Sequence, residues 1–371
     1  DRCEFIPYHS HYNPHTLLTK NGELMQIIKI DGNLRGENCE NLDGIHASIS
    51  GIIRHVIAES EVTSKFAFWL HTVRKRSEMP YIPPNLDSHP TGNDKKDDFV
   101  SYIGEQWEKD HKWKNVYKNE VYLTIMYEGQ NIPLLTSNQL GTLIFPNINR
   151  KARNKYYDTV YPILDKFTLS ILDALRSQCS AKRLSLVERV MPSAGKVVRP
   201  PIFYSEPMEF LGNIINLRFE QFPLPDVDLS VGLQTSKLFF GFNAIESRNK
   251  ETGKRRFGAM LTLKQYLDMH IDSVDCVMQA PMELIISQSF SFIPADKALK
   301  HYNAQKGYFE SSGDVASKES FGINQMINAD HKEPVDFGEN QTSIMVIVDD
   351  LRKLDDEVGK FLNSFKKLGL I

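Results

Sequence analysis

Six apolar residues near the end of the chain, Leu351, Leu354, Val358, Phe361, Phe365 and Leu368, recur at steps of three and four. That spacing puts all six on one face of a helix; a strand cannot use it, because its alternate residues face opposite ways. The ends of the segment agree with the period. Asp349 and Asp350 offer an N-cap and a negative charge at the positive end of the helix. Lys366 and Lys367 fall in the last turn, and Gly369 can take the left-handed position that stops it. Just upstream, residues 343–348 (SIMVIV) read as a strand, and residues 282–293 (MELIISQSFSFI) as another in which serines alternate with other residues. Helical patterns at 295–309 and 315–330 lie between the two. Strand, helical excursion, strand and capped helix make a β-α-β-α pattern whose next strand would lie beyond Ile371, so the chain is expected to be a piece of a longer one.

The rest of the chain alternates in the same way. Residues 1–15, rich in His, Tyr and Pro, read as an irregular lead-in, and residues 17–32 as a hairpin turning at Asn21-Gly22. Residues 38–60 are helical, with Leu42, Ile45, Ile49, Ile52, Ile53 and Val56 on one side, and 65–76 form a strand ending in basic residues. A loop of Pro, Gly and charge occupies 80–97. Helices follow at 98–114 and 155–177, and strands at 120–129 and 182–190. After a Pro-rich hinge at 192–201 come a helix at 205–217 capped by Ser205, then strands 238–246 and 256–264 about a polar tip at 247–254. The expected fold class is α+β: two α/β-layered subdomains, residues 1–191 and 192–371, with mostly antiparallel sheets flanked by helices and no RecA-like motor domain.

Charge and cysteine usage narrow the function classes. A formal net charge of −3 gives no global attraction to nucleic acid or an anionic membrane. Cys3, Cys39, Cys179 and Cys276 are far apart, which fits a reducing compartment and excludes a zinc knuckle. No apolar run approaches the ~18 residues that span a bilayer, and there is no signal-like segment.

One chemistry is excluded by a complete count. A phosphate-cradling loop needs G-x-x-x-x-G-K-[ST], so that backbone N–H groups, a lysine and a magnesium-binding hydroxyl converge on the phosphates. The Gly-Lys pairs here, at Gly195, Gly253 and Gly359, are followed by Val197, Arg255 and Phe361, and none has the upstream glycine. His9, His11 and His15 suggest a metal site, but the Pro-broken lead-in offers no rigid frame, and a surface role is the expected reading. The pairs Asp349-Asp350 and Asp355-Asp356 fit a helix start and a solvated face; Ser287, Ser289 and Ser291 fit a half-buried strand with no activating base placed near them. No catalytic, cofactor-binding or metal residue is therefore expected. The residues that remain are two basic runs, Arg74, Lys75 and Arg76 at a strand end and Lys254, Arg255 and Arg256 beside a hairpin tip. They suit a solvated edge or an acidic protein partner better than a phosphate backbone, since no aromatic ladder accompanies them and the chain is slightly acidic. Phe239 and Phe240 read as core or interface.

Several stretches, in order, resemble the N-terminal region of the VirB/TrbE/CagE-type ATPases of type IV secretion and conjugation systems. They are LLTKNGELMQIIKIDG, FWLHTVRKR, NEVYLTIMYEG, EPMEFLGNIINL, AMLTLKQYLD, MELIISQSFSFI, QKGYFESSGDVASKESFGINQMINAD and FGENQTSIMVIV. Asn340-Gln341 departs from the His-rich residues common before the last strand, and the loop at 80–97 matches nothing in the family, which leaves the subtype open. The resemblance implies a secretion-ATPase component that precedes a RecA-like motor domain, so ATP and Mg belong to that motor and no cofactor to this chain. It also implies a peripheral position at the cytoplasmic face of the bacterial inner membrane. There the chain would dock on inner-membrane components of the secretion channel and self-associate into dimers or hexamers. Nucleic acid through Arg74–Arg76 and Lys254–Arg256 is the alternative partner.

Overall fold

The computed structural model describes residues 2–31, 66–76, 117–127, 146–189, 202–263, 278–293, 295–313 and 337–367, with positions 47, 50, 51, 99 and 102. Apart from those single positions, the helices expected at 38–60, 98–114 and 315–330, the loop at 80–97 and the hinge at 192–201 lie outside the described residues.

The strands are β1 (Tyr8–Asn13), β2 (Thr16–Thr19), β3 (Leu24–Asp31), β4 (Phe66–Arg76), β5 (Tyr117–Tyr127), β6 (Ser180–Arg183), β7 (Leu186–Arg189) and β8 (Ile202–Ser205). In the later part come β9 (Ser236–Phe240), β10 (Ile245–Asn249), β11 (Arg255–Thr262), β12 (Glu283–Ile293) and β13 (Phe337–Val348). All except β7 and β8 belong to one sheet in the order β1-β2-β3-β5-β4-β12-β13-β11-β10-β9, with β6 also on β3. Every pairing is antiparallel. The fold class is the expected α+β. The sheet runs without a break through both halves of the chain, because β4 pairs along β12 from Ala67↔Ser291 to Arg74↔Leu284.

Helices cover both faces. Helix α1 (Pro146–Gln178) lays Leu164, Phe167, Ile171 and Leu172 over Leu24, Ile28, Phe66 and Ile125. On the opposite face α2 (Glu206–Asn216) and the short α3 (Leu229–Gly232) pack Met208, Phe210, Leu211 and Leu229 against Met25, Ile27, Val73, Tyr122, Ile285 and Ile347. Helix α4 (Ala295–Ser312) follows β12. Helix α5 (Leu354–Lys367) closes the α1 side with Phe361 against Leu284, Ile286, Ile344 and Val346. Successive strand residues face opposite ways, so the doubly apolar runs of β3, β12 and β13 belong to strands covered on both sides.

Four local expectations change. The lead-in contains β1, because Pro7 and Pro14 flank the strand and leave its N–H donors intact. The strand at 182–190 is two, parted at Leu184 and Ser185: β6 joins β3, and β7 pairs with β8. The strand at 238–246 folds back on itself, with Gly241 N–H donating to Ala244 O at 2.8 Å between the partners Phe240 and Ile245. The last helix starts late. Asp350 accepts from Arg352 N–H at 3.1 Å and caps a 3-10 turn (Leu351–Lys353), which leaves Leu351 half exposed and the buried stripe beginning at Leu354.

Helix α2 begins as expected. Ser205 is extended (φ −103°), and its hydroxyl accepts from Met208 N–H at 3.1 Å. It ends on Leu217 in the left-handed region (φ 55°), a conformation costly for a branched residue, and buried partners hold it there. Asn216 Nδ2 donates to Gly212 O at 2.9 Å and Leu233 O at 2.8 Å, while its Oδ1 accepts from Ser236 N–H at 3.1 Å. Ser247 Oγ donates to Asn216 O at 2.6 Å. Asn216→Ala removes a side chain that satisfies three buried backbone groups, and is expected to cost about 2 kcal/mol in urea unfolding. A change below a few tenths would mean that water replaces the amide.

Candidate functional site: a basic cluster at one end of the sheet

The two basic runs lie far apart in sequence, yet the strand order β4-β12-β13-β11 brings the end of β4 and the start of β11 to the same end of the sheet. Arg74 stands opposite Leu284, Glu283 opposite Ile347, and Val348 opposite Phe257, so Arg74–Arg76, Glu283, Asp349 and Arg255–Arg256 form one row.

Most of these charges are engaged within the chain. Arg256, buried to 18% side-chain exposure, pairs with Glu283, lies 3.2 Å from Asp349 and donates from Nη1 to Leu217 O at 3.0 Å. Burial lowers its pKa, and Arg218 and Arg76 lower it further, while Asp349 opposes them. An arginine retains its charge through such a shift, so Arg256 acts as a positively charged clasp on β12, β13 and the end of α2. Arg74 donates from Nε to Ala280 O at 2.6 Å and from Nη1 to Asn119 Oδ1 at 2.8 Å, with its guanidinium 4.9 Å from the Tyr117 ring centroid. Lys75 pairs with Glu120 at 2.9 Å and sits over the Phe219 ring. Arg255 is 3.6 Å from Glu246, which also accepts from Arg248 at 2.8 Å. Arg76 uses its backbone N–H on Glu283 at 2.9 Å, and Lys254 uses its carbonyl on Arg218 at 3.2 Å. Among the described residues the Arg76 and Lys254 side chains have no ion pair, and with Arg255, whose side chain is 56% exposed, they are the cations of the six that face outward.

Beside this row Glu120 is a buried hub. Its carboxylate, 6% exposed, faces Lys75 at 2.9 Å, Lys29 at 3.5 Å and Lys118 at 3.6 Å, and accepts from Tyr122 Oη at 3.0 Å. Burial alone would raise its pKa; the Lys75 hydrogen bond and charge, with Lys29 and Tyr122, bring it below the usual range. Burial and the Glu120 charge push the Tyr122 phenol well above its ordinary value. A pocket of about 100 Å³ opens here, walled also by Lys182, Glu206 and Glu209. Lys182 pairs with Glu206 at 2.6 Å, and Arg189 makes a two-pronged contact with Glu209 at 2.6 and 3.2 Å. The pocket itself is lined by three cations, Lys29, Lys75 and Lys182, and three carboxylates, Glu120, Glu206 and Glu209, a balance that ties strands together and leaves little net charge for a ligand.

The remaining candidates separate. His11 Nε2 is 2.8 Å from Ser205 Oγ, His9 is 3.8 Å from Asp228, and His15 Nδ1 is 3.4 Å from Leu184 O. The described residues contain no group of His, Cys, Asp and Glu able to hold a metal ion. Asp349 pairs with Arg256, and Asp350 caps its turn. Ser287 lies opposite His71 across β12 and β4, a juxtaposition invisible in sequence. That imidazole packs edge-on against Phe210 at 5.3 Å and is pushed down to about 4 by burial. No carboxylate among the described residues orients it, so the pair lacks the third member of a hydrolytic relay.

Phe239 and Phe240 are not core: they are 45% and 73% exposed, and Phe242 beyond them is fully exposed. The signal that could have found them is Gly241 followed by Asn243, turn formers inside an aromatic run.

Two family descriptions match this chain. Residues 196–371 match the CagE, TrbE, VirB family, described as a component of the type IV transporter system. Residues 15–132 match the N-terminal domain of the type IV secretion system ATPase VirB4/TrbE. Among curated relatives, the type IV secretion system protein virB4 of Bartonella quintana is 21% identical over 361 residues, 96% of this chain and 42% of the relative. The PtlC homolog of Bordetella bronchiseptica is 20% identical over 376 residues, 99% of this chain and 41% of its own. Protein virB4 of Agrobacterium tumefaciens is 20% identical over 371 residues, 99% and 43%. The chain thus spans about two-fifths of the length of the curated relatives it matches.

Proposed function

Because this chain belongs to the CagE, TrbE, VirB family of type IV transporter components, we propose that it is the N-terminal assembly domain of a type IV secretion ATPase. In this reading it anchors a motor to inner-membrane components of the channel, at the cytoplasmic face, and packs against other copies of itself. ATP and Mg act in the motor domain. The observation that carries the reading is the ordered match to a secretion-ATPase N-terminal domain, joined to a sheet edge that leaves three phenylalanines facing solvent. Described helices offer no membrane crossing, since none is long and apolar enough, and attachment through protein contacts suits that. The alternative, contact with nucleic acid through Arg74, Lys75, Arg76, Lys254, Arg255 and Arg256, is weakened by the ion pairs and backbone hydrogen bonds that hold Arg74, Lys75, Arg255 and Arg256.

Two measurements test this. The purified chain should co-sediment with inner-membrane vesicles that contain the secretion-channel proteins and remain in the supernatant with vesicles that lack them; equal behaviour would remove the docking reading. Titration calorimetry with Mg-ATP should give no binding heat, because no Gly-Lys pair here has the phosphate-loop pattern. Micromolar ATP binding would place a nucleotide site inside these residues and overturn the division of labour.

A further inference from the structure

A groove of about 530 Å³ lies between the β9–β10 turn and α5, within the size range of ligand-binding clefts. Phe240, Phe242, Ile245, Met260 and Val358 line it together with Asp355. Phe240, Phe242 and Met260 are 73%, 103% and 54% exposed, so the apolar surface is open rather than collapsed. Strand β9 ends the sheet among the described residues, which leaves one side of its backbone without a strand partner there. The two walls differ in charge. On the hairpin side Glu246 is matched by Arg248 and Arg255. On the helix side Asp355, which lines the groove, has no ion pair among the described residues, whereas Glu357 is matched by Lys360 at 2.7 Å and Asp356 also faces the Lys360 charge.

We propose that this groove docks a segment of another protein that carries two or three large apolar side chains flanked by Lys or Arg. The inference rests on the docking reading above and names its site and the chemistry of the partner. Apolar side chains would fill the cleft, while a flanking cation would meet Asp355. A second copy of this chain using the same patch about a two-fold axis is the poorer occupant, because self-complementary contact brings the two Asp355 carboxylates towards each other with no cation between them.

The test uses the whole chain and a labelled amphipathic Leu/Lys peptide, with Leu/Glu and Ser/Lys peptides of equal length as controls, read by fluorescence anisotropy. The Leu/Lys peptide is expected to bind at least about tenfold tighter than either control. Phe240→Asp, at a site too exposed to carry the fold, should remove that binding, and Asp355→Lys should reverse the charge preference. Equal binding of the Leu/Lys and Leu/Glu peptides overturns the proposal, and so does binding indifferent to these substitutions. Self-association that Phe240→Asp abolishes, without peptide binding, assigns the groove to a second copy and likewise overturns it. The vesicle assay separates the two levels. Phe240→Asp protein that still co-sediments with channel-containing vesicles refutes the groove alone, and wild-type protein that never does refutes the docking reading.

Discussion

Asp165→Ala is expected to lower the unfolding free energy by about 3 kcal/mol, since it leaves the Arg183 cation without its counter-charge and takes one acceptor from the Gln26 amide beneath a helix. Gln26, fully buried on β3, donates from Nε2 to Thr16 Oγ1 at 2.9 Å and to Asp165 Oδ1 at 3.1 Å. Its Oε1 accepts from Arg183 Nη1 at 3.1 Å, and Arg183 Nη1 also donates to Asp165 Oδ1 at 2.5 Å. Burial tends to raise the Asp165 carboxyl, but the Gln26 and Arg183 hydrogen bonds outweigh it and hold the group below its ordinary range. The network joins β2, β3, β6 and α1, so its loss loosens the junction of helix and sheet as well as one ion pair. Side-chain exposures of 14% for Arg183 and 23% for Asp165 put the loss at the lower end for a broken buried pair. Urea unfolding followed by circular dichroism at neutral pH measures it. Asp165→Asn keeps an acceptor for Gln26 and should recover part of the loss. If alanine costs under about 1 kcal/mol, the network is solvated and the account is wrong.

That network shows why the sequence disclosed some of this protein and withheld the rest. The stripe Leu354, Val358, Phe361 and the cap Ser205 were legible, because helix period and capping are local chemistry and neighbouring residues suffice to read them. Gln26, by contrast, looks like a solvated residue of an alternating strand; only the arrival of α1, 139 residues later, makes it a buried junction. The same holds for the basic row. Both runs were visible, but their convergence depends on β4 meeting β12, whose contact between Arg76 and Glu283 spans 207 residues. The counter-charges Glu120, Glu283 and Asp349 that turn candidate contacts into clasps are equally distant or unremarkable in sequence. Exposure of Phe240 and Phe242 was hidden because an aromatic run around a glycine reads equally as one buried strand or as two strands and a turn.

Acidification gives the other large effect, through histidines that the fold keeps neutral. Burial pushes His11 down to about 4 against a weaker upward pull from the Asn13 backbone, and burial pushes His71 down to about 4 as well. Both folded values lie below the ordinary 6.5, so the unfolded chain binds protons first as pH falls. The stability tied to neutral imidazoles is therefore complete above about pH 6.5 and declines towards pH 4, where the native state begins to protonate too. Between pH 7 and pH 5 the two sites together should remove about 4 kcal/mol. Glu120 and Asp165, with lowered carboxyl values, add their own loss only at lower pH, below the unfolded carboxylate range. Urea midpoints at half-unit steps from pH 7.5 to 4.5 test this, with the slope as the readout rather than the absolute stability. His11→Gln and His71→Gln should each flatten the slope by roughly half even if each lowers stability at pH 7. An unchanged slope in both variants would mean that these imidazoles protonate in the folded protein as easily as in water. Neither the setting of His11 beside Ser205 Oγ nor that of His71 against Phe210 would then penalise the imidazolium.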